Sequence, residues 1–344
     1  MAGAKLQDVA NKAGVSLATA SLALSGKGRI SLGARARVQQ AAGDLGYRGK
    51  QDAQGRAAAR GTRVPILHAE DREYEWNFVR PTLLELERAM HQRELSPVLV
   101  PFSARASAEH LLQLISATGA TAVFAVQFAN EKVLSALEAA GIRVVVINNS
   151  QFQDRFYCVC VDDFQGAYEG TMSLLALGHR SIAFVEYERP ESPAVVADRF
   201  IGFRKALEEH HLVFSPERRI TVPFLDRKKL GRKLETLFSP PDRPTAIFAH
   251  DDYLGLYVVA ALKEMGLEVP RDVSLLAPGD VLDYSLPFMP QITTMRINTL
   301  LLGKIAADLM MDRLRADHDE VHVLKVKEQL VRRQSCASPG GGES

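Results

Sequence analysis

The chain opens with apolar residues at helical spacing. The first run has apolar residues three and four positions apart, at Leu6, Val9, Ala10 and Ala13. Gly14 follows, where a glycine favours the end of a helix. Ser16 can accept a hydrogen bond from the backbone N–H of Thr19 and so cap a second helix over 17–24, and a third apolar run starts near Ser31. The pattern predicts three short helices, of which the first two form a helix-turn-helix.

The predicted second helix has two different faces. The side chains placed to pack on the other helices are Val15, Ala20 and Leu24. Those predicted to point outward are Leu17, Ala18, Ser21 and Leu22. This outward face lacks Arg, Lys, Asn and Gln, the side chains that most often make bidentate hydrogen bonds with bases. The exposed leucines therefore either bury against another part of the protein or contact an apolar group of a partner.

From Val64 onward, short apolar runs alternate with longer stretches of helical pattern. The predicted strands are 64–68, 97–102, 121–126, 143–148, 158–161, 181–186, 219–224, 245–250, 272–277 and 292–296. Strands that alternate with helices predict an α/β body of parallel sheets with helices on both faces. About ten strands favour two lobes of about five strands each over one large twisted sheet. A ligand cleft is expected where the carboxyl ends of the two sets of strands face each other.

Charge is unevenly distributed along the chain. Residues 1–63 contain eleven Lys and Arg against three Asp, a net charge of +8, whereas the whole chain carries +1. A basic head on an acidic body favours a polyanion as the partner of the head. The charged, Ala-rich stretch 48–63 is typical of a linker. The predicted domains are therefore a head at 1–47, a hinge at 48–63 and a two-lobed body at 64–344.

Composition argues against several other classes of protein. The three cysteines, Cys158, Cys160 and Cys336, have neither metal-site nor disulfide spacing, so we expect no metal and no cofactor. Neither a membrane-spanning apolar run nor a signal-peptide pattern is present, which favours the cytoplasm and argues against a periplasmic ligand carrier. Neither of the glycine-rich phosphate-binding motifs occurs, and no convincing nucleophile–base set is seen, so an enzyme is not expected.

The head resembles the lac repressor/galactose repressor family of bacterial transcription regulators. The resemblance lies in "LQDVANKAGVSLATASLALSGKGRIS" and "RVQQAAGDLGY", and it continues through the body in "SLLALGHRSIAFVE", "RFIGFRKALEE" and "PTAIFAHDDYLGL". It implies a homodimer on a palindromic double-stranded DNA operator, with Leu17, Ala18 and Leu22 in the major groove. The residues it places on phosphates are Ser16, Thr19, Ser21, Ser25, Arg29 and Ser31. Many members carry arginine where this chain has Leu22.

An apolar helix can still distinguish bases. Leucine and alanine side chains can contact the C5-methyl group of thymine, and phosphate contacts would then supply much of the affinity and make binding fall with salt. In the hinge, the resemblance places a leucine that enters the minor groove, but this chain has Gly55-Arg56 there. We hypothesise that Arg56 follows the minor groove with weaker bending of DNA. The alternative is a solvated linker residue.

The resemblance also implies residues that contact a small-molecule effector, namely Arg199, Asp251 and Asp280. Trp76 and Phe78, which follow the first strand, are placed to stack on a sugar ring. Carboxylates and a guanidinium suit a polyhydroxyl ligand. Each has an alternative role: Asp251 or Asp252 as a helix cap, Arg199 in a surface ion pair, and Phe78 in the core.

The sequence therefore predicts a DNA-binding transcription regulator, a repressor, whose operator affinity changes when a sugar-like effector binds between two lobes. Two alternatives remain: a DNA-binding dimer whose body has lost effector binding, and a cytoplasmic ligand-binding protein. The sequence "APGD", where the family usually has an aromatic residue followed by two acidic ones, leaves the effector class open.

Overall fold

A computed structural model describes residues 5–25, 30–45, 62–69, 76–102, 107–128, 130–188, 193–224, 226–239, 242–315 and 320–340. Contacts between Cα atoms divide the chain into two compact units. One comprises Met1–Thr62 with Gln92–Ser96, and the other comprises Arg63–His91 with Pro97–Ser344. The predicted hinge falls almost entirely outside the described residues. The head is defined here as the described part of 5–45, and the body as the described residues from 62 onward.

The head consists of three helices: α1 (Leu6–Ala13), α2 (Leu17–Ser25) and α3 (Leu32–Leu45). Gly14 ends α1 with a φ of 64°, a left-handed conformation that glycine adopts without strain, as its place in the sequence predicts. The buried side chains are mostly small, namely Val9, Ala10, Ala13, Ala20, Ala23, Val38, Ala41 and Ala42. Val15 and Leu24 pack at the margin of this core. The predicted core face of the second helix is therefore confirmed.

The first lobe of the body contains a six-stranded sheet in the order β11-β5-β4-β3-β1-β2. Its strands are β1 (Thr62–Ala69), β2 (Leu95–Phe102), β3 (Ala122–Val126), β4 (Arg143–Ile147), β5 (Tyr157–Val161) and β11 (Val323–Val326). Its helices are α4 (Trp76–His91), α5 (Ala108–Ala117), α6 (Glu131–Ala139) and α11 (Thr299–Arg315). Every residue of β3 and β5 is buried, as expected for strands covered on both faces.

The second lobe contains a four-stranded sheet in the order β7-β6-β8-β9. Its strands are β6 (Ile182–Tyr187), β7 (Arg219–Val222), β8 (Ala246–Ala249) and β9 (Ser274–Leu276). Its helices are α7 (Asp163–Ala176), α8 (Pro193–Glu209), α9 (Arg227–Leu237) and α10 (Asp252–Glu264). Residues of α7 and α8 share one buried cluster, and residues of α9 and α10 share another. All pairings within the sheet are parallel.

All ten predicted strands are present, and two were missed. The tenth predicted strand is β10 (Thr294–Arg296), which pairs antiparallel with the unpredicted β12 (Gln329–Val331) rather than joining a large sheet. The other missed strand, β11, lies at the edge of the first sheet, and only Val326 of its four residues is buried. The predicted α/β architecture is confirmed, but the lobes contain six and four strands instead of about five each.

Three short segments join the two lobes. The first lies between β5 and α7, the second between β10 and α11, and the third between β11 and β12. In each case one flanking element packs on the six-stranded sheet and the other on the four-stranded sheet. These segments, centred on 162, 297–298 and 327–328, are called the crossings below. Any change in the arrangement of the lobes must pass through them.

Candidate nucleic-acid interface and effector cleft

The outward face of α2 is apolar and exposed. Leu17 is 46% exposed and Leu22 is 42% exposed, and Ala18 and Ser21 are exposed beside them. The leucines are therefore not buried by any described part of the chain. A surface of two leucines and an alanine excludes hydrogen-bonded base recognition at these positions but permits contact with methyl groups.

Hydroxyl groups lie at the N-termini of α2 and α3. The Oγ of Ser16 accepts the backbone N–H of Thr19 at 3.1 Å, which confirms the predicted cap, and the two hydroxyls lie 2.8 Å apart. Ser31 caps α3 by accepting the backbone N–H of Ala34 at 3.3 Å. The side chain of Ser25, and all of Arg29 and Arg56, fall outside the described residues. Helix N-termini that present hydroxyls and N–H groups are suited to phosphate oxygens.

Asp251 caps a helix at the carboxyl end of β8. Its Oδ1 accepts the backbone N–H of Leu254 at 2.8 Å and the hydroxyl of Tyr187 at 3.4 Å. This arrangement confirms the alternative prediction of a capping role. Because the side chain stands where a strand of the second lobe ends, capping leaves it beside the expected cleft.

Arg199 is buried in an ion pair. Its Nε donates to Oδ1 of Asp163 at 2.8 Å, its Nη2 lies 2.7 Å from the same oxygen, and its Nη1 donates to the carbonyl oxygen of His250. The residue is only 6% exposed. The expectation of a surface ion pair is therefore wrong in its location: the pair is inside the protein. Much of the donor capacity of the guanidinium is directed at these internal partners.

Asp280 is held by two arginines. Its Oδ1 accepts from Arg333 at 2.5 Å, and its Oδ2 accepts from Arg296. Its backbone is left-handed, with a φ of 66°, and the neighbouring Gly279 has a φ of 132°. The guanidinium of Arg333 also lies 3.8 Å from the ring centre of Tyr284. The carboxylate predicted to bind an effector thus fastens its own loop to β10 and to the residues after β12.

A second carboxyl group, that of Asp252, binds the same loop at the residues that follow Asp280. Its Oδ2 accepts the backbone N–H groups of Val281 at 2.8 Å and Leu282 at 3.2 Å. Burial, together with the nearby charge of Asp251, raises the pKa of Asp252 from 3.8 to about 7. The segment 279–284 is therefore tied to α10 by one carboxyl group and to β10 by another.

The two lobes meet in direct side-chain contacts. Asn77 in α4 donates to the hydroxyl of Tyr253 in α10, and Ser150 donates to Asp198 in α8 at 3.2 Å. Trp76 begins α4, but its side chain falls outside the described residues, and Phe78 is half-buried. Residues from both lobes therefore converge at the carboxyl ends of the strands, where the cleft was expected.

Sequence reasoning missed two buried acids at these strand ends, Asp163 and Glu328, and named a third, Asp252, only as a possible helix cap. Each follows an apolar strand by only a few residues, which is the one local signal available. Their burial depends on partners distant in sequence, since Arg199 lies 36 positions beyond Asp163. No group of His, Cys, Asp and Glu suited to a metal ion occurs in the described residues. No helix among them is long and apolar enough to span a bilayer.

Two sequence profiles of known families match the chain. The profile of bacterial regulatory proteins of the lacI family matches residues 5–49, which include the helix-turn-helix. The profile of the periplasmic binding protein-like domain matches residues 171–336 in the body. The chain belongs to the lacI family of bacterial regulatory proteins. The apolar face of α2 thus lies within the part of the chain that matches the lacI family.

Relatives of this lacI-family protein include the HTH-type transcriptional repressor PurR of Shigella sonnei. It is 31% identical over 197 residues, which cover 57% of each chain. PurR of Klebsiella pneumoniae is 31% identical over 209 residues, or 60% of each chain. The chain therefore matches these curated relatives over less than two thirds of their length.

Solved structures share the fold. The complex of transcriptional regulator CelR with cellobiose has 22% identity and a TM-score of 0.68, and the alignment covers 97% of this chain and 100% of that one. The lac repressor dimer bound to operator and the anti-inducer ONPF has 20% identity and a TM-score of 0.67, with coverage of 98% and 100%.

Proposed function

We propose that this protein is a transcription regulator of the repressor type, a homodimer that binds a palindromic operator and responds to a small effector. The observation that carries the DNA-binding part is the exposed face of α2, with Leu17 and Leu22 on the helix that begins at the hydroxyl pair of Ser16 and Thr19. A two-fold dimer presents two such helices to two half-sites. PurR, a relative over about half of the chain, is named as a repressor, which supports repression rather than activation.

The proposed reading of DNA is steric and apolar. Leu17, Ala18 and Leu22 contact thymine methyl groups in the major groove, while Ser16, Thr19, Ser21 and Ser31 contact phosphates. Ser25, Arg29 and Arg56 complete the proposed DNA contacts on the strength of sequence. Each buried methyl group contributes about 0.8 kcal/mol, so recognition depends on several such contacts and on a basic head.

The proposed effector site is the cleft where the strands of the two lobes end. Asp251, Asn77 and Tyr253 supply hydroxyl-binding groups there, which suits a polyhydroxyl ligand such as a sugar. CelR is described in complex with cellobiose, and a regulator from Enterococcus faecium, 23% identical with a TM-score of 0.65 over 80% of this chain, is described with bound ribose. We infer that the cleft binds without catalysing a reaction.

A second candidate is a DNA-binding dimer whose body has lost effector binding. It is favoured by the ion pairs of Arg199 and Asp280, because both side chains are bound to internal partners rather than directed at a ligand. Trp76 and Phe78 remain proposed stacking residues in the first candidate. The two candidates share the head and differ in the body.

Selection of duplexes from a random pool with the full chain tests the DNA-binding proposal. The expected result is enrichment of a palindrome with thymine in each half-site. Leu17→Ser and Leu22→Ser in one protein should abolish the enrichment, whereas Leu324→Ser should preserve it, since Leu324 is a comparably exposed leucine of the body at 43%. A pool that remains random with the wild-type chain contradicts the proposal.

Thermal-shift measurements against sugars, nucleosides and phosphorylated metabolites then separate the two candidates. Stabilisation by one class of ligand that also changes operator affinity supports effector sensing. Operator binding with no stabilisation by any class supports the dimer without an effector.

A further inference from the structure

The third crossing carries a buried acidic residue. Glu328 lies between β11 and β12 and is 3% exposed. Its carboxyl group rests directly on Gly166 in α7, because a Cβ at that glycine would lie 2.2 Å from its Cδ. Neither of its carboxyl oxygens has a hydrogen-bond partner among the described residues. An ionised carboxylate in such surroundings is strongly disfavoured.

Two buried carboxyl groups face one guanidinium at this place. Asp163, which lies beside the first crossing, is the ion-pair partner of both Nε and Nη2 of Arg199. Glu328 lies near enough for its charge to interact with that of Arg199, but it makes no ion pair with it within 4.0 Å. The cluster Arg199–Asp163–Glu328, called the clasp below, therefore spans two of the three crossings.

The two carboxyl groups of the clasp compete for the positive charge of Arg199. Burial raises the pKa of both carboxyl groups, and the charge of Arg199 opposes this rise. The other charged groups that face Glu328 are also acidic, namely Asp162 and Glu169, and Asp198 and Asp251 act on the rest of the clasp. Since Asp163 has the contacts with Arg199 and Glu328 has none, ionisation is more strongly disfavoured at Glu328.

We propose that the clasp is a proton-linked hinge device, in which loss of the Glu328 proton to solvent makes Glu328 a second anionic partner of Arg199 and changes the arrangement of the two lobes. The proposal concerns the body alone, and only its consequence for operator binding rests on the function proposed above. Arg199 belongs to α8 of the second lobe, and Glu328 lies on the chain segment that leaves β11 of the first lobe and packs on α7.

Glu328 is also held on α7 through its backbone. The backbone N–H of Glu328 donates to Oε1 of Gln165 at 3.1 Å, so the crossing is fastened to α7 by one bond close to Gly166. After deprotonation, the attraction between carboxylate and guanidinium favours an approach of the third crossing to α8. A population shift between lobe arrangements follows whenever the two arrangements differ in proton affinity.

The fluorescence of Trp76 in the full chain, titrated across neutral pH, tests this proposal. Trp76 is the single tryptophan, and it precedes Asn77, which contacts Tyr253 of the other lobe. In the Asp252→Asn background, which removes the buried carboxyl group with a pKa of about 7, the chain should show a fluorescence transition at a pH above the ordinary range of glutamate. Glu328→Gln, which mimics the protonated form, should lose the transition, and the exposed Glu264→Gln should retain it.

If circular dichroism shows that Glu328→Gln does not fold, a second variant provides the test. Asp163→Asn removes the carboxylate that Arg199 now neutralises, so Glu328 becomes its anionic partner and the transition should move down by at least about one pH unit. An Asp252→Asn chain without any transition overturns the proposal, as does a transition unchanged when Glu328→Gln or Asp163→Asn is added. The titration contains no DNA, so failure of operator binding is a separate result.

Discussion

Gly202 in α8 packs directly against the backbone of Phe164 in α7. A Cβ at Gly202 would lie 2.2 Å from the carbonyl oxygen of Phe164 and 3.1 Å from the backbone nitrogen of Tyr168. Backbone atoms in a packed helix cannot move aside as a flexible side chain can, so the absence of a side chain here sets the spacing of the two helices. The same two helices carry Asp163 and Arg199.

Gly202→Ala should lower the free energy of unfolding by about 1–3 kcal/mol, the usual cost of overpacking. Urea denaturation measures it. The matched control is Gly231→Ala in α9, where an added Cβ meets nothing within 4 Å. That control should be neutral or more stable by about 0.5–1 kcal/mol because alanine favours helix. Equal effects at both glycines would contradict the close approach.

Arg199→Met should lower the free energy of unfolding by about 3–5 kcal/mol, because it leaves the buried carboxylate of Asp163 without its partner. Arg204→Met, on the same helix, removes an exposed ion pair with Glu208 at 2.7 Å and should cost less than about 1 kcal/mol. Chemical denaturation of both variants beside wild type makes the comparison. A small effect at Arg199 would show that the pair is open to solvent.

Asp252→Asn should flatten the pH dependence of stability. The folded-state pKa is about 7 against 3.8 for the free group, so between these values the folded protein holds a proton that the unfolded chain has lost. Its free energy of unfolding therefore falls by about 1.4 kcal/mol per pH unit as pH rises through this window. The asparagine side chain of the variant cannot titrate and should remove that component, whereas the exposed Asp308→Asn should retain it. Parallel profiles for wild type and Asp252→Asn contradict the assignment.

Much of the fold could be predicted because short stretches of the sequence carry the signals for its helices and strands. Buried strands such as "AVFAV" are continuous apolar runs, and the two helices of the helix-turn-helix are marked by Gly14 and Ser16. The missed strands β11 and β12 are only four and three residues long, they lie at an edge and in a two-stranded ribbon, and a polar residue shortens the apolar run of each. Strand number per lobe depends on such edges.

The body site was less predictable than the head. The outward face of α2 follows from helical geometry, so Leu17 and Leu22 were placed correctly. Arg199 and Asp280 were singled out by the family resemblance, but their ion pairs with Asp163, Arg296 and Arg333 join residues far apart in sequence. No spacing rule connects them, because the partners lie on different elements that come together only in the folded body.

The apolar face of α2 is proposed to recognise thymine methyl groups, and one measurement tests this directly. In the selected operator, the thymines of each half-site are replaced by deoxyuridine, which removes the C5-methyl groups and leaves base pairing intact. The affinity of the full chain should fall by about fourfold for each methyl group that contacts Leu17, Ala18 or Leu22, and 5-methylcytosine placed elsewhere in the site should leave it unchanged. Equal affinity for the thymine and deoxyuridine operators would contradict apolar recognition by α2.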